Sequence, residues 1–230
     1  MLKTDQHGEI ITLKGAELLL DPAGLLIWPE KRLAVVSDLH LGKGSYFARH
    51  GQMLPPYDSE ETLVRLLSVL ENREIDKLIL LGDSVHDEGA WARLSSKERQ
   101  LFQTLTDRYD VIWILGNHER GFVPPGVSAT VEESIDSLIF RHEAEADVKP
   151  DTIEVSGHYH PKAVVATGRT KLRRPCFLIG SGRLILPAFG SFTGGLSALD
   201  PAITALFPMG FDSYLTGDRI VTVPHHKLLP

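Results

Sequence analysis

The chain has 230 residues, 43% of them hydrophobic, and a formal net charge of −6 with its ten histidines left neutral. That length suits one α/β domain spanning 1–230 with a sizeable core, and the acidic balance excludes nucleic-acid binding by bulk attraction, so a phosphate must be met by local charge. The one cysteine, Cys176, excludes an internal disulfide and a cysteine-rich zinc site.

In chain order, "MLKTDQHGEI" has no apolar signal core. No stretch approaches the roughly 18 apolar residues of a membrane span. A soluble, cytoplasmic protein with no membrane partner is expected. "EIITL", "AELLL" and "GLLIW" are short β-like runs separated by turn residues, the pattern of a meander. "LAVVSD" (33–38) is a continuous apolar run, predicting a strand buried on both faces. Asp58 and Glu61 have capping-box spacing ahead of an apolar stripe at Leu63, Leu66, Leu67 and Leu70. "KLILLGD" (77–83) predicts a second buried strand. Ser95 and Glu98 predict a capped helix with Leu101, Phe102 and Leu105 inward, and "DVIWILGN" (110–117) predicts a third buried strand. Strand and helix alternate, which implies a parallel sheet. Beyond residue 120, "SLIF", "TIEVSG", "CFLIG", "RLILP" and "RIVTV" are mostly strands. Helices early and strands late predict two packed sheets with helices outside.

Each buried strand ends in a polar cluster: Asp38 and His40 in "SDLH", Asp83 and His86 in "GDSVH", Asn117, His118 and Glu119 in "GNHE". "SLIF" runs into His142, and "TIEVSG" into His158 and His160. Six of the ten histidines thus fall at strand ends, where open α/β sheets bind ligands. Read as a strand, "SGHYHP" puts His158 and His160 at i and i+2, facing the same way. Two carboxylates, an amide and several imidazoles, with no thiolate, suit manganese, iron or zinc. The donors exceed one ion's need, which predicts two divalent ions about 3.5–4 Å apart. Their repulsion, on the order of 15–20 kcal/mol at an effective dielectric of about 20, calls for a bridging carboxylate or hydroxide. With Asp38, Asp83 and a hydroxide, the pair keeps one net positive charge, which suits an anionic phosphodiester. His158 and His160 are then expected to reach one metal each.

"SDLH", "GD", "GNHE", "H" and "GHYH", in this order, resemble the five motifs of calcineurin-like metallophosphoesterases. The resemblance covers residues 33 to about 190. It implies a four-layer α/β/β/α sandwich of two mixed β-sheets flanked by helices. It assigns Asp38, His40 and His160 to one metal and Asn117, His142 and His158 to the other, with Asp83 bridging. "RHEA" around His142 departs from the usual motif, although His142 is the only histidine between His118 and His158. His118 would stand near the leaving group as general acid or stabiliser, and a metal-bridging hydroxide would be the nucleophile.

"SDLHLGKGSYFARHG" and "LPAFGSFTGG" are similar to the bacterial ligase-associated DNA-damage-response phosphodiesterase/endonuclease subfamily. This implies manganese-dependent cleavage of phosphodiesters, single-stranded DNA among them, and DNA ligase and helicase repair partners. It places His86 on the substrate side, although "GDSVH" departs from the usual "GDLFH" at Ser84 and Val85. A homodimer through a sheet edge is a further expectation. A small-molecule phosphodiesterase or phosphomonoesterase, and a non-catalytic subunit, are the competing readings. Lys43, Arg49 and the basic strip 162–174 are open between phosphate contacts and solvated faces, and "FGSFTGG" between a cover over the metals and a simple turn.

Overall fold

The computed structural model describes residues 7–52, 57–71, 73–119 and 122–230. The first six residues of the segment read for a signal core lie outside them. The predicted meander is present: β1 (Glu9–Leu13), β2 (Ala16–Leu20) and β3 (Leu26–Trp28) pair antiparallel, and β3 pairs with β4 (Leu33–Val36). Then follow α1 (Lys43–Arg49), α2 (Asp58–Glu71), β5 (Lys77–Leu81), α3 (Ala90–Arg93), α4 (Ser96–Arg108), β6 (Asp110–Ile114) and β7 (Ser128–Thr130). Strands β4 to β7 are parallel and complete a seven-stranded sheet whose spatial order is the chain order.

The second sheet contains β8 (Glu132–Ile135), β9 (Leu138–Arg141), β10 (Ile153–Ser156), β11 (Lys162–Thr167), β12 (Thr170–Gly180) and β13 (Arg183–Ile185). It is completed, after α5 (Pro201–Thr204), by β14 (Asp212–Leu215) and β15 (Val221–Pro224). Its order is β15-β14-β12-β13-β10-β9-β8, with β11 paired to β12. Strands β9, β10 and β13 run parallel and the other pairs antiparallel, so this sheet is mixed as well.

Strand alternation explains the layers. In β4, Leu33 and Val35 face the second sheet, where they meet Phe140, Val155 and Phe177. Ala34 and Val36 face the helices, where they meet Leu63, Leu66, Phe102 and Leu105 of α2 and α4. A strand with one such face on each side has no room for polar residues until it ends. The outer layer on the second sheet is thinner: Ile203 of the four-residue α5, with Phe207 and Phe211, covers Cys176, Leu178 and Ile185. The expected four layers are thus present. Among the described residues no helix is long and apolar enough to cross a membrane.

Two local expectations meet different outcomes. The Ser95–Glu98 capping box forms in both directions. The Asp58–Glu61 box does not: Asp58 Oδ2 instead accepts from Gly44 N at 2.9 Å, tying the start of α2 to α1, and Glu61 N donates to the Tyr57 carbonyl. A buried carboxylate took the donor of another helix over that of its own.

Candidate metal centre

The loops after β4, β5, β6, β9 and β10 converge on one centre. Asp38 is fully buried, Asp83, His142 and His40 nearly so, and Asn117 is exposed. Two groups of donors emerge. Asp38, His40 and His160 form one, and Asp83, His142 and His158 the other, each with its ligand atoms within 4.8 Å of one another. In the first, Asp38 Oδ1 lies 3.1 Å from His160 Nε2, and His40 Nε2 faces His160 Nε2 at 3.2 Å. In the second, Asp83 Oδ2 lies 3.3 Å from His142 Nε2, and His142 Nε2 faces His158 Nδ1 at 3.2 Å. The Asn117 amide lies 3.5 Å from His158 Nδ1, and a flip of that amide turns its oxygen to the same spot.

The backbone pays a strain to achieve this. Asp38, His40, Asp83, His158 and His160 all have positive φ, between 45° and 69°. Non-glycine residues in that region are uncommon, and their clustering marks a functional site. It also corrects the i, i+2 expectation. β10 ends at Ser156, and His158 and His160 follow in left-handed turns with His158 N donating to Asp38 Oδ2 at 3.1 Å. They do not face one way from an extended strand; the turn sends His160 to Asp38 and His158 to His142. Gly157 allows this close approach, since a Cβ there would overlap Ser37 Oγ and crowd Asp38 Oδ2.

Three of the rings are held in the neutral form that a cation needs. At His142, by contrast, burial is outweighed by the bond to Asp83 and the charges of Asp38 and Asp83, which raise the pKa to about 9, so that ring must release a proton to bind one. Burial holds the His40 pKa down at about 3, outweighing the nearby carboxylates. Burial, then the charges of His118 and Lys43, bring His86 to about 4. Burial and His142 also lower His158. These rings are neutral near pH 7, with lone pairs available. Burial pushes both carboxyls upward, but the imidazoles around them win, and Asp38 and Asp83 lie below the usual carboxylate range. Among the described residues, Asp38 Oδ1, although fully buried, meets no hydrogen-bond donor in good geometry, and His40 Nδ1 has no hydrogen-bond partner. A buried carboxylate oxygen without a donor costs several kcal/mol, of order 1–3 or more, unless a cation satisfies it. Facing ring nitrogens at 3.2 Å likewise require a proton or a cation between them. The donor set therefore fits divalent metal ions.

His86 and His118 border the first group; with His40 they form a third cluster of close ring nitrogens. The His86 and His118 rings stack at 5.4 Å, and His118 Nδ1 lies 2.5 Å from the His86 carbonyl. His118 Nε2 stands 3.6 Å from Asp83 Oδ2 with 41% of its side chain exposed. Lys43 is half-buried at the start of α1, near His86, whereas Arg49 is exposed at the other end of that helix.

Three residues had no role assigned from the sequence. Ser37 Oγ donates to Asp38 Oδ2 at 2.5 Å and fixes that carboxylate from behind. Glu119 is fully buried; it accepts from Ser84 N at 2.5 Å through Oε1 and from Gly116 N at 2.6 Å through Oε2. It staples the loop after β5 to the loop after β6. Glu143 lies 3.7 Å from His158 Nε2. Each lies inside a quoted cluster, Ser37 in "SDLH", Glu119 in "GNHE" and Glu143 in "RHEA", and of the three only Glu119 was singled out by number.

Comparison with known proteins agrees with this geometry. The family model described as calcineurin-like phosphoesterase matches residues 31–162, more than half of the chain. Among solved structures, the Pseudomonas putida nuclease MPE is similar over 94% of this chain and 100% of its own, with a TM-score of 0.74 and 29% identity. Yfce, a phosphoesterase from E. coli, overlaps 84% of this chain and 98% of its own, at 14% identity and a TM-score of 0.43. No curated protein matches the chain in sequence.

Proposed function

The chain belongs to the calcineurin-like phosphoesterase family and is a metal-dependent phosphoester hydrolase, and we propose that it cleaves phosphodiesters, single-stranded DNA among them, as an endonuclease with two divalent ions. The observation that carries this reading is the presence of two distinct donor groups in one centre, with Asp83 of the second group also 3.6 Å from His118 Nε2. Asp38, His40 and His160 would hold one ion, Asn117, His142 and His158 the other, and Asp83 would bridge. Manganese suits this mixed nitrogen and oxygen set, with iron or zinc as alternatives. Such ions supply Lewis acidity toward a phosphoryl oxygen and lower the pKa of a water.

The chain's own groups do the rest. Asp38 and Asp83 bring negative charge that keeps two cations together. Ser37 and the His158 amide hold Asp38 in place, and Glu119 holds the loops that carry Asp83 and His118. His118 Nε2 is the atom placed to hand a proton to a departing oxygen, or to stabilise its charge. His86 packs beside it on the substrate side.

The similarity to a protein described as a nuclease supports a nucleic acid as substrate, and the choice of DNA comes from the sequence resemblance. A role in DNA repair with ligase and helicase partners extends the same reading from the sequence resemblance, and cytoplasmic location, a single functional unit over 1–230 and a homodimer remain part of the proposal. The net charge of −6 favours a second reading, a small-molecule phosphodiesterase or phosphomonoesterase using the same residues. A head-to-head assay with manganese separates them, using single-stranded DNA, a cyclic nucleotide and a phosphomonoester. Cleavage of the DNA supports the first reading; hydrolysis confined to the monoester overturns it.

A further inference from the structure

The centre is flanked by two clefts of opposite charge. On the side of Asp38 and His160, Phe189 N donates to the Ser37 carbonyl at 2.8 Å and Gly190 N to the Asp38 carbonyl at 3.0 Å. These bonds fasten the segment around 189–193 directly beside the metal ligands. Next to it opens a groove of about 420 Å³ lined by Arg65, Lys162, Arg174, Ser191, Phe192 and Thr193. Glu61 is the one acidic residue among the described residues that line it. Arg65 lies over the Phe189 ring at 4.1 Å and donates to the Phe189 carbonyl, and Lys162 Nζ donates to the Thr193 carbonyl at 2.9 Å. Those partners are carbonyls and a ring; among the described residues neither cation has an ion pair, and Glu61 is the acidic charge that acts on Arg65. Arg174 is exposed.

On the side of Asn117 and His142, a cleft of about 450 Å³ is lined by Glu132, Glu143 and Glu145. Its one arginine, Arg141, pairs with Glu132 and Glu145 of the lining and with Glu154, and Glu132 also pairs with Lys149 at 3.6 Å, so the lining itself stays net negative with three carboxylates to one cation. A polyanion laid across the centre therefore meets cations on one side and carboxylates on the other.

Phe192 adds a second kind of contact. Its side chain is large and apolar yet 48% exposed, and its φ is 58°. A bulky residue in the left-handed region is an outlier. The ring stands at the rim of a cationic groove, where an unpaired base has a face to offer and a duplex does not. The volume lies in the range that takes a ligand the size of one nucleotide.

We propose that the protein holds a single-stranded polynucleotide on one side of the scissile phosphate only, with backbone phosphates against Arg65, Lys162 and Arg174, a base against Phe192, and the opposite side of the strand left off the protein by Glu132, Glu143 and Glu145. This rests on the phosphodiesterase reading and adds to it a binding groove and a direction. It also resolves how an acidic chain could hold DNA: the attraction is local.

The test uses the manganese-loaded protein and two series of oligothymidylates of increasing length, carrying a p-nitrophenyl ester on either the 3′ or the 5′ terminal phosphate. KM should fall about tenfold or more with length in one series and stay flat in the other. A base stacked on an aromatic ring contributes roughly 1–3 kcal/mol, so Phe192→Ala should raise KM for the longest member of the favoured series about tenfold. Arg174→Ala should do the same. Both side chains are exposed, so neither variant should disturb folding. Equal length dependence in the two series, or a length gain that survives both substitutions, overturns the proposal.

Fluorescence anisotropy with a labelled oligothymidylate gives an independent reading. Arg174→Ala should make the dependence of log K on log salt shallower by about 0.7, the share of one phosphate contact on a single strand. If the protein cleaves no phosphodiester but shows this binding, the groove stands and the phosphodiesterase reading falls. If it cleaves DNA and neither substitution changes binding, the groove proposal falls alone.

Discussion

His118 and His86 are joined through a backbone carbonyl: His118 Nδ1 lies 2.5 Å from the oxygen of His86. A carbonyl only accepts, so the proton sits on Nδ1 and the tautomer of His118 is fixed. Nε2 is left as the exchangeable atom on the side of Asp83. This is the arrangement a general acid needs, since the ring cannot turn without losing that bond.

The first prediction follows from it. His118→Ala should lower kcat about 10²–10⁴-fold on an unactivated phosphodiester. The loss should shrink on a p-nitrophenyl ester, whose leaving group needs little help. Metal content, measured by inductively coupled plasma mass spectrometry, should be unchanged, because His118 is not in either ligand group proposed above. An equal loss on both esters would remove His118 from the role of acid.

Glu119 carries the second prediction. Its two oxygens accept from Ser84 N and Gly116 N in a fully buried setting. Glu119→Gln keeps the shape but turns one acceptor into a donor facing an N–H group. A buried donor left unsatisfied costs about 1–3 kcal/mol. The variant should unfold at a lower denaturant concentration by that amount, with kcat reduced because the Asp83 and His118 loops are stapled by the same side chain. Unchanged stability would show that the two loops hold themselves.

Much of the fold was legible because its determinants are local. Buried runs such as "LAVVSD" and "KLILLGD" leave few alternatives to a central strand, and the first polar residue after each marks where the strand meets the ligand edge. The nearness of Asp38 to His160 was legible only through the order of motifs and the family resemblance, since 122 positions separate them. The left-handed turns at His158 and His160 were not legible, because an alternating apolar and polar stretch reads as strand whether it is extended or coiled. Asp58 misled for a related reason: capping-box spacing shows what is available to a carboxylate, not which helix approaches it. The groove beside the centre draws Arg65, Lys162 and Arg174 from three elements, so the 162–174 strip showed only part of it.

Gly157 carries the third prediction. A Cβ at this position would overlap Ser37 Oγ and crowd Asp38 Oδ2. Neither neighbour is free to move, because Ser37 Oγ is held by its bond to Asp38 with the Leu81 carbonyl 3.2 Å away, and Asp38 is fully buried. Gly157→Ala should therefore displace Asp38 and His158 together. Manganese affinity, titrated calorimetrically, should fall about tenfold or more, and folding stability should drop by about 1–3 kcal/mol, the range for overpacking a tight site. Wild-type affinity in this variant would mean the loop after β10 is not what sets Asp38.

The fourth prediction concerns pH in the metal-free protein. Burial alone would lower the His142 pKa, but the hydrogen bond to Asp83 and the charges of Asp38 and Asp83 outweigh it and raise it to about 9. A raised folded-state pKa means that the folded state holds the proton more tightly than the unfolded chain, whose histidine titrates near 6.5. The pairing therefore stabilises the chelated protein fully below about pH 6.5 and is lost as pH rises through about 9. With a chelator present, the melting temperature should fall between those limits by an amount equivalent to roughly 3 kcal/mol at most. His142→Ala should remove this dependence. Metal binding works against the same proton, since a ligating imidazole must be neutral. Loading manganese near pH 7.5 should therefore release a proton, seen as a calorimetric enthalpy that varies with the ionisation enthalpy of the buffer. Apparent affinity should climb with pH toward about 9. An enthalpy independent of buffer, together with a flat melting profile, would place His142 outside the proposed pair of ions.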